Sequence, residues 1–373
     1  MSGVSPIEPG ASPSGARPAA VSSRPALAAE GLVKHFPIRT GVFGRANAHV
    51  RAVDGVSFEV GAGRTFAIVG ESGCGKSTVA RLLLRLIEPD AGRIALDGED
   101  LRAAEGAVLR RLRGRIQLVF QDPYGSLNPR MTAGDMLAEP LMLHGTAEAS
   151  ARGARVSELL SQVGLRADAA RRYPHEFSGG QRQRLAIARA LAAGPRVIVC
   201  DEPVSALDVS IQAQILNLLA DLQRRLGLAY VFISHDLAVV RQIATDIGVM
   251  YLGRFVETGP AATVFATPRH PYTRALLSAV PVPDPAARGR EPAIGGDVPS
   301  PLEPPPGCAF HTRGPHADAR CRAETPPLAP TGEGDGVALA CWRWREIAPP
   351  ASARAARTRP DPALARLQAA FAR

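Results

Sequence analysis

Lysine is almost missing from this chain of 373 residues. It occurs twice, as Lys34 and Lys76, while arginine supplies the rest of the 44 basic residues. A sequence that uses arginine nearly everywhere and keeps an ammonium at one glycine-rich turn points to a compact point charge doing chemistry there. Aromatic residues make up only 5%, and basic and aromatic residues do not interleave as they do on nucleic-acid surfaces, so no nucleic-acid partner is expected. Five cysteines are too few and too scattered for a disulfide framework. No apolar run approaches the ~18 residues of a membrane span, and the N-terminus lacks a basic-then-apolar signal pattern. The expectation is a soluble, cytoplasmic protein.

The apolar fraction of 46% is enough for a real core, and the length suits one large domain plus a smaller one. The net charge of +9 is spread out, or gathered in a tail carrying Arg354, Arg357, Arg359, Arg366 and Arg373. The basic run Arg110–Arg115 reads as a solvated helix end. Residues 1–27 are Pro, Ser, Ala and Gly with little to bury, and are expected to be disordered.

The second lysine sits in Gly70-Glu71-Ser72-Gly73-Cys74-Gly75-Lys76-Ser77-Thr78, between the apolar run Thr65–Val69 and a stretch of helical spacing through Leu86. Strand, glycine turn and helix start are the context in which G-x-x-x-x-G-K-S cradles phosphates. The glycines let backbone N–H groups converge, and the helix start adds its dipole. Lys76 would reach the β- and γ-phosphates, and Ser77 would ligate Mg²⁺.

Along the chain, Ala28–Phe36 reads as a strand, residues 39–51 as a Gly/Arg-rich loop, and Val56–Val60 as a second strand. Gly92–Gly98 reads as a hairpin strand closed by Asp-Gly, Ile116–Phe120 as a buried strand, and Ala133–Gly164 as a helical stretch. Helix Arg182–Ala193, strand Val197–Cys200, helix Ile211–Leu226, strand Ala229–Ile233 and a helix after His235 follow. This alternation predicts an α/β domain with a mainly parallel sheet, whose ligands gather at the carboxyl ends of its strands. Gly70, Gln121, Asp201 and His235 all fall at such ends. Asp201 fits a carboxylate that holds Mg²⁺, and Glu202 one that polarises an attacking water.

Taken together these residues resemble the ATP-binding subunits of ABC transporters over about residues 28–281, which implies a P-loop NTPase fold with a helical subdomain near 122–193. Phe177-Ser178-Gly179-Gly180-Gln181 is similar to the family's signature motif, with Phe where Leu is usual. Gln121 resembles its Q-loop glutamine and a magnesium contact, Ser205–Asp208 its D-loop, His235 its switch histidine and Phe36 its adenine-stacking aromatic. The resemblance implies ATP and Mg²⁺ as ligands, with two ATPs sandwiched between two such subunits. Each site would join one phosphate loop to the partner's Ser178–Gln181 and Asp208 equivalents. Partners would be a second, D-type ATPase subunit in a heterodimer, two membrane permeases contacted between Gln121 and Tyr173, and indirectly an extracytoplasmic peptide-binding protein. The location would be the cytoplasmic face of the inner membrane, as a peripheral subunit.

Phe120–Thr132 and His270–Pro281 resemble the oligopeptide and dipeptide importer subfamily, and Glu71–Gly75 with His175–Ser178 resemble its F-type subunit. Nickel and glutathione importers share much of this pattern; a soluble, non-transport ABC ATPase is the other alternative. Residues 282–346 would then form a Pro/Gly-rich C-terminal module and 347–373 a basic tail, with a short helix at Pro362–Phe371. Gly307–Arg313 resembles the module's start. Some members hold an iron–sulfur cluster there on four cysteines. This chain has Cys308, Cys321 and Cys341, but Gly314 where the second would stand, and His311 or His316 are the conceivable substitutes. A small lobe with free thiols is the expected outcome.

Overall fold

The computed structural model describes residues 24–40, 45–280 and 295–347. Of the disorder expected for residues 1–27, residues 1–23 lie outside the described residues, as do the boundary at 281–282 and the tail helix at Pro362–Phe371. Residues 24–27 are instead ordered, with Ala26 and Leu27 buried and Leu27 opening the first strand of the fold.

Two sheets share α1 (Lys76–Leu83) between them. The first is antiparallel, in the order β2-β1-β4-β5, from β1 (Leu27–Thr40), β2 (Arg45–Val60), β4 (Ala91–Leu96) and β5 (Glu99–Asp100). The second runs β11-β12-β10-β9-β3-β8-β7-β6. Its strands are β3 (Thr65–Val69), β6 (Ile116–Val119), β7 (Val197–Asp201), β8 (Ala229–Ser234), β9 (Asp246–Tyr251), β10 (Arg254–Pro260), β11 (Ala329–Pro330) and β12 (Ala338–Leu339). From β9 to β6 every pairing is parallel, while β10, β12 and β11 add an antiparallel edge.

The parallel strands are apolar on both faces because each face meets a different core. Phe66, Ile68, Val197, Val199, Val231 and Ile233 join the cluster under the antiparallel sheet and α1. The alternating Ala67, Val69, Ile198, Cys200, Tyr230 and Phe232 join the cluster shared with the helices. A period of two with both faces buried reads as a continuous apolar run, as these segments do.

The helices are α2 (Gly106–Arg115), the single turn α3 (Pro123–Ser126), α4 (Ala133–Leu143), α5 (Arg152–Gln162), α6 (Gly179–Ala192), α7 (Val209–Leu226), α8 (Leu237–Ile243), α9 (Ala261–Ala266), α10 (Pro271–Ser278) and α11 (Ala319–Ala323). Two expectations are corrected. Most of the 39–51 loop is strand: β1 and β2 form one long hairpin in which Phe36 pairs with Val50 and Ile38 with Ala48. The signal was the alternation Ala46, Ala48, Val50, Ala52, hidden by the intervening polar residues. The Ala133–Gly164 stretch is two helices, since Gly145 adopts φ 63° just after α4 and breaks the run. The Arg110–Arg115 run does end a helix, but it is ion-paired. Arg111 and Arg115 both hold Glu99, and Arg115 also reaches Asp97.

The segment 295–347 is not detached from the ATPase sheet. Its β12 pairs with β10 at Glu257 and Thr258, and Phe310 packs on Tyr251, Tyr272 and His270.

Candidate functional site

A cleft of about 680 Å³ opens at the carboxyl ends of the parallel strands and is lined by Ser72–Thr78, Gln121, Glu202, His235 and Phe36. The glycines of the loop are obligatory where the backbone is crowded. Gly75 adopts φ 109°, and a Cβ there would lie 2.0 Å from the Ala52 carbonyl oxygen; one at Gly70 would lie 2.2 Å from that of Met250. Lys76 opens α1 and is only 5% exposed. Its Nζ donates to the carbonyl oxygens of Gly70 at 2.8 Å and Glu71 at 2.9 Å. These are weak acceptors beside phosphate oxygens, so the ammonium is poised to change partners. The other lysine, Lys34, pairs with Asp90 at 2.8 Å and lies 5.6 Å from the ring centre of Phe36.

Behind the loop, Ser77 Oγ donates to Asp201 Oδ1 at 3.1 Å. Burial raises the Asp201 carboxyl above its ordinary range, and the neighbouring Glu202 charge adds to the rise against the Ser77 bond. A carboxylate held this way, beside a hydroxyl, fits a divalent cation. The folded chain binds a proton at Asp201 more tightly than the unfolded chain does. The site's contribution to stability is therefore largest in acid and is lost as pH rises through the raised pKa. Asp201→Asn, a permanent neutral mimic, is expected to raise the melting temperature of the nucleotide-free protein at neutral pH by about 2 °C. A fall in scanning calorimetry would contradict that reading of the site.

Glu202 directly follows β7 and adopts a left-handed conformation, φ 50°, uncommon for a residue with a side chain. Its N–H donates to the Ile233 carbonyl on the adjacent strand at 3.0 Å. The turn aims the carboxylate into the cleft, where Oε2 accepts from Gln121 Nε2 at 3.1 Å and stands 3.1 Å from His235 Nδ1. The Glu202 side chain is 15% exposed and that of His235 55%, so an acceptor for protons sits at the wall with a solvent-exposed imidazole beside it.

The structure does not bring every expected residue into this cleft. Ser178 caps α6, its Oγ accepting from Gln181 N–H while Gln181 Oε1 accepts from Ser178 N–H. Gly180 packs against Ile211, leaving no room for a Cβ. Neither this helix end nor Asp208, at the start of α7, lines the cleft. Gly70 and Glu71 lie at its back: the Glu71 carboxylate turns away to Arg313. Val50, Arg51, Ala52, Leu252, Gly253 and Pro301 line the cleft without having been foreseen. They come from the hairpin misread as loop, from the β9–β10 turn and from the C-terminal segment.

The cysteine group does not fit a four-cysteine cluster. A Cβ at Gly314 would lie 3.2 Å from the Phe310 carbonyl oxygen and 3.3 Å from its ring. Among the described residues no three His, Cys, Asp or Glu side chains converge as a metal site would require. Cys308 N–H donates to the Cys321 carbonyl at 2.8 Å, and burial pushes the Cys341 thiol up to about 11.

This geometry is that of a nucleotide-hydrolysing cassette, and sequence comparison decides its kinship. The family described as ABC transporter matches residues 53–205, and that described as oligopeptide/dipeptide transporter, C-terminal region, matches residues 256–321. A probable peptide ABC transporter ATP-binding protein, y4tS of Sinorhizobium fredii, is 56% identical over 312 residues, covering 84% of this chain and 88% of its own. The chain belongs to the ATP-binding proteins of ABC transporters. The di/tripeptide transport ATP-binding protein DppF of Pseudomonas aeruginosa is 53% identical over 302 residues, 81% of this chain and 93% of that one. Among solved structures, the ATP-binding cassette MJ0796, a dimer bound to ADP and Pi, superposes with a TM-score of 0.55 at 28% identity, covering 63% of this chain and 98% of its own. The protein is thus a P-loop ABC ATPase whose ATP hydrolysis is coupled to transport across a membrane. Among the described residues of this ABC ATPase, no helix is long and apolar enough to cross a membrane itself.

Proposed function

We propose that this ABC ATPase powers uptake of di- and oligopeptides, as the F-type subunit of an importer at the cytoplasmic face of the inner membrane. The observation that carries the reading is the ATPase cassette joined in one chain to an oligopeptide/dipeptide-type C-terminal region at residues 256–321. In this reading Phe36 stacks on adenine, while the backbone of Gly70–Thr78 and the Lys76 ammonium hold the phosphates. Ser77, Asp201 and Gln121 hold Mg²⁺, which when bound screens phosphate charge. Glu202 takes the proton of the attacking water, and His235 keeps that carboxylate and the γ-phosphate in register.

Ser178, Gly179, Gly180, Gln181 and Asp208 serve a different ATP, bound by the partner subunit. Their separation from this chain's own cleft supports that division. The partner is a D-type ATPase subunit in a heterodimer. Two permeases dock between Gln121 and Tyr173, where Met142, Leu143 and Tyr173 are exposed apolar residues and Phe120 lies exposed at the edge. An extracytoplasmic peptide-binding protein delivers the cargo to them.

Uptake of labelled dipeptides, oligopeptides, glutathione and Ni²⁺ in a deletion strain, with and without the restored gene, tests the cargo. Peptide uptake that returns with the gene supports the proposal. Recovery of only glutathione or nickel uptake would reassign the cargo, and recovery of none would overturn a role in import.

A further inference from the structure

Glu71, the second residue of the phosphate loop, has all three of its polar groups occupied, and two of the partners come from far along the chain. Its carbonyl oxygen accepts from Lys76 Nζ. Its N–H donates to the hydroxyl of Tyr272, at 2.9 Å across 201 residues. Its carboxylate takes both ends of the Arg313 fork, at 2.7 and 3.0 Å across 242 residues. The Arg313 side chain is 5% exposed and Tyr272 fully buried, so neither contact is a loose surface pair. The Arg313 backbone is tied in turn to Phe310, 3.1 Å from N–H to carbonyl, and the Phe310 ring sits 5.4 Å from Tyr251 and 5.5 Å from Tyr272. A second contact runs from the same C-terminal segment to the cleft wall, where the Pro301 carbonyl accepts from Arg51 N–H at 3.4 Å and Pro301 lines the cleft.

We propose that Arg313 is a positioning residue for ATP: by clamping Glu71 it makes the C-terminal segment part of the nucleotide site, so that order in that segment and ATP occupancy reinforce each other. The inference rests on reading Gly70–Thr78 as the ATP site. The physical case has two parts. When ATP arrives, Lys76 leaves the carbonyls of Gly70 and Glu71 for phosphate oxygens, and the loop loses the cation that held its first turn. The Tyr272 and Arg313 contacts persist and keep the loop N–H groups converged, so the ordering cost falls at folding instead of at binding. The fork also neutralises a carboxylate lodged in the loop that must receive the negative phosphates. Thermodynamic reciprocity then requires ATP to stabilise what Arg313 belongs to.

The test is equilibrium binding of a fluorescent ATP analogue with Mg²⁺ to the full chain, together with hydrogen exchange over residues 307–323. Wild type binds and Lys76→Ala does not; equal binding by the two would sink the site reading itself. Given that difference, Arg313→Ala weakens affinity about ten-fold. Arg313→Lys, which keeps the charge and loses the fork, weakens it about three-fold. In wild type, ATP slows exchange across 307–323. In Glu71→Gln, altered in the loop and nowhere in the segment, that slowing is lost. Unchanged affinity in Arg313→Ala, or exchange across 307–323 indifferent to ATP in wild type, overturns the proposal. Should Arg313→Ala fail to fold, the exchange comparison between wild type and Glu71→Gln decides alone.

Discussion

Glu202→Gln leaves ATP bound and removes turnover, lowering kcat by at least about 100-fold. The substitution keeps the size and hydrogen-bonding reach of the side chain and deletes only its capacity to take a proton. It touches neither Lys76 nor the loop proposed to hold the phosphates, so nucleotide affinity is expected to be retained. The geometry explains why no neighbour substitutes for it. Gln121 Nε2 and His235 Nδ1 both converge on the same oxygen, Glu202 Oε2, at 3.1 Å. The amide cannot act as a base at neutral pH, and the imidazole already spends Nδ1 on the carboxylate. The backbone holds Glu202 at φ 50° whatever the outer atoms are, so the variant's side chain occupies the same wall of the cleft. Phosphate release and size-exclusion chromatography with ATP check the result: hydrolysis is lost, and ATP-bound dimer accumulates. Unchanged hydrolysis would remove Glu202 from the role of base.

Lys76→Ala abolishes binding itself, weakening ATP by about 100-fold or more. Two charge-assisted hydrogen bonds to phosphate oxygens are lost, each in the range of about 1.5–3 kcal/mol. Arginine is not expected to rescue the site, although the chain uses it almost everywhere else. The ammonium fits between two carbonyl oxygens, those of Gly70 and Glu71, in a position 95% shielded from solvent. A planar guanidinium is wider and presents its donors in a fixed fork. Isothermal titration of Lys76→Ala and Lys76→Arg with ATP measures both. Near-native affinity in either would show that the loop backbone alone holds the phosphates.

Much of this was legible from sequence because the chemistry lies at strand ends, and the strands are unambiguous apolar runs. Val197–Cys200 followed by Asp201-Glu202, and Thr65–Val69 followed by Gly70, each state their own geometry. The hairpin of β1 and β2 was less clear, since His49 and Arg51 on one face hid the alternation of the other. The break after α4 was marked by Gly145, but Ala133–Gly164 reads in sequence only as a helical stretch, with no internal boundary assigned. The pairing of Glu71 with Tyr272 and Arg313 had no local signature, because it joins residues more than 200 positions apart. Both partners fall within segments, His270–Pro281 and Gly307–Arg313, that had been recognised only as marks of kinship. Their physical work, holding the phosphate loop, is visible only once the C-terminal segment is folded against β9 and α10.

The most direct test measures ATP turnover and peptide uptake together, in vesicles containing the complete importer assembled with either wild-type chain or Glu202→Gln. Wild type is predicted to hydrolyse ATP and accumulate labelled peptide, with both lost together in Glu202→Gln while ATP stays bound. Peptide accumulation that persists without turnover would contradict the account.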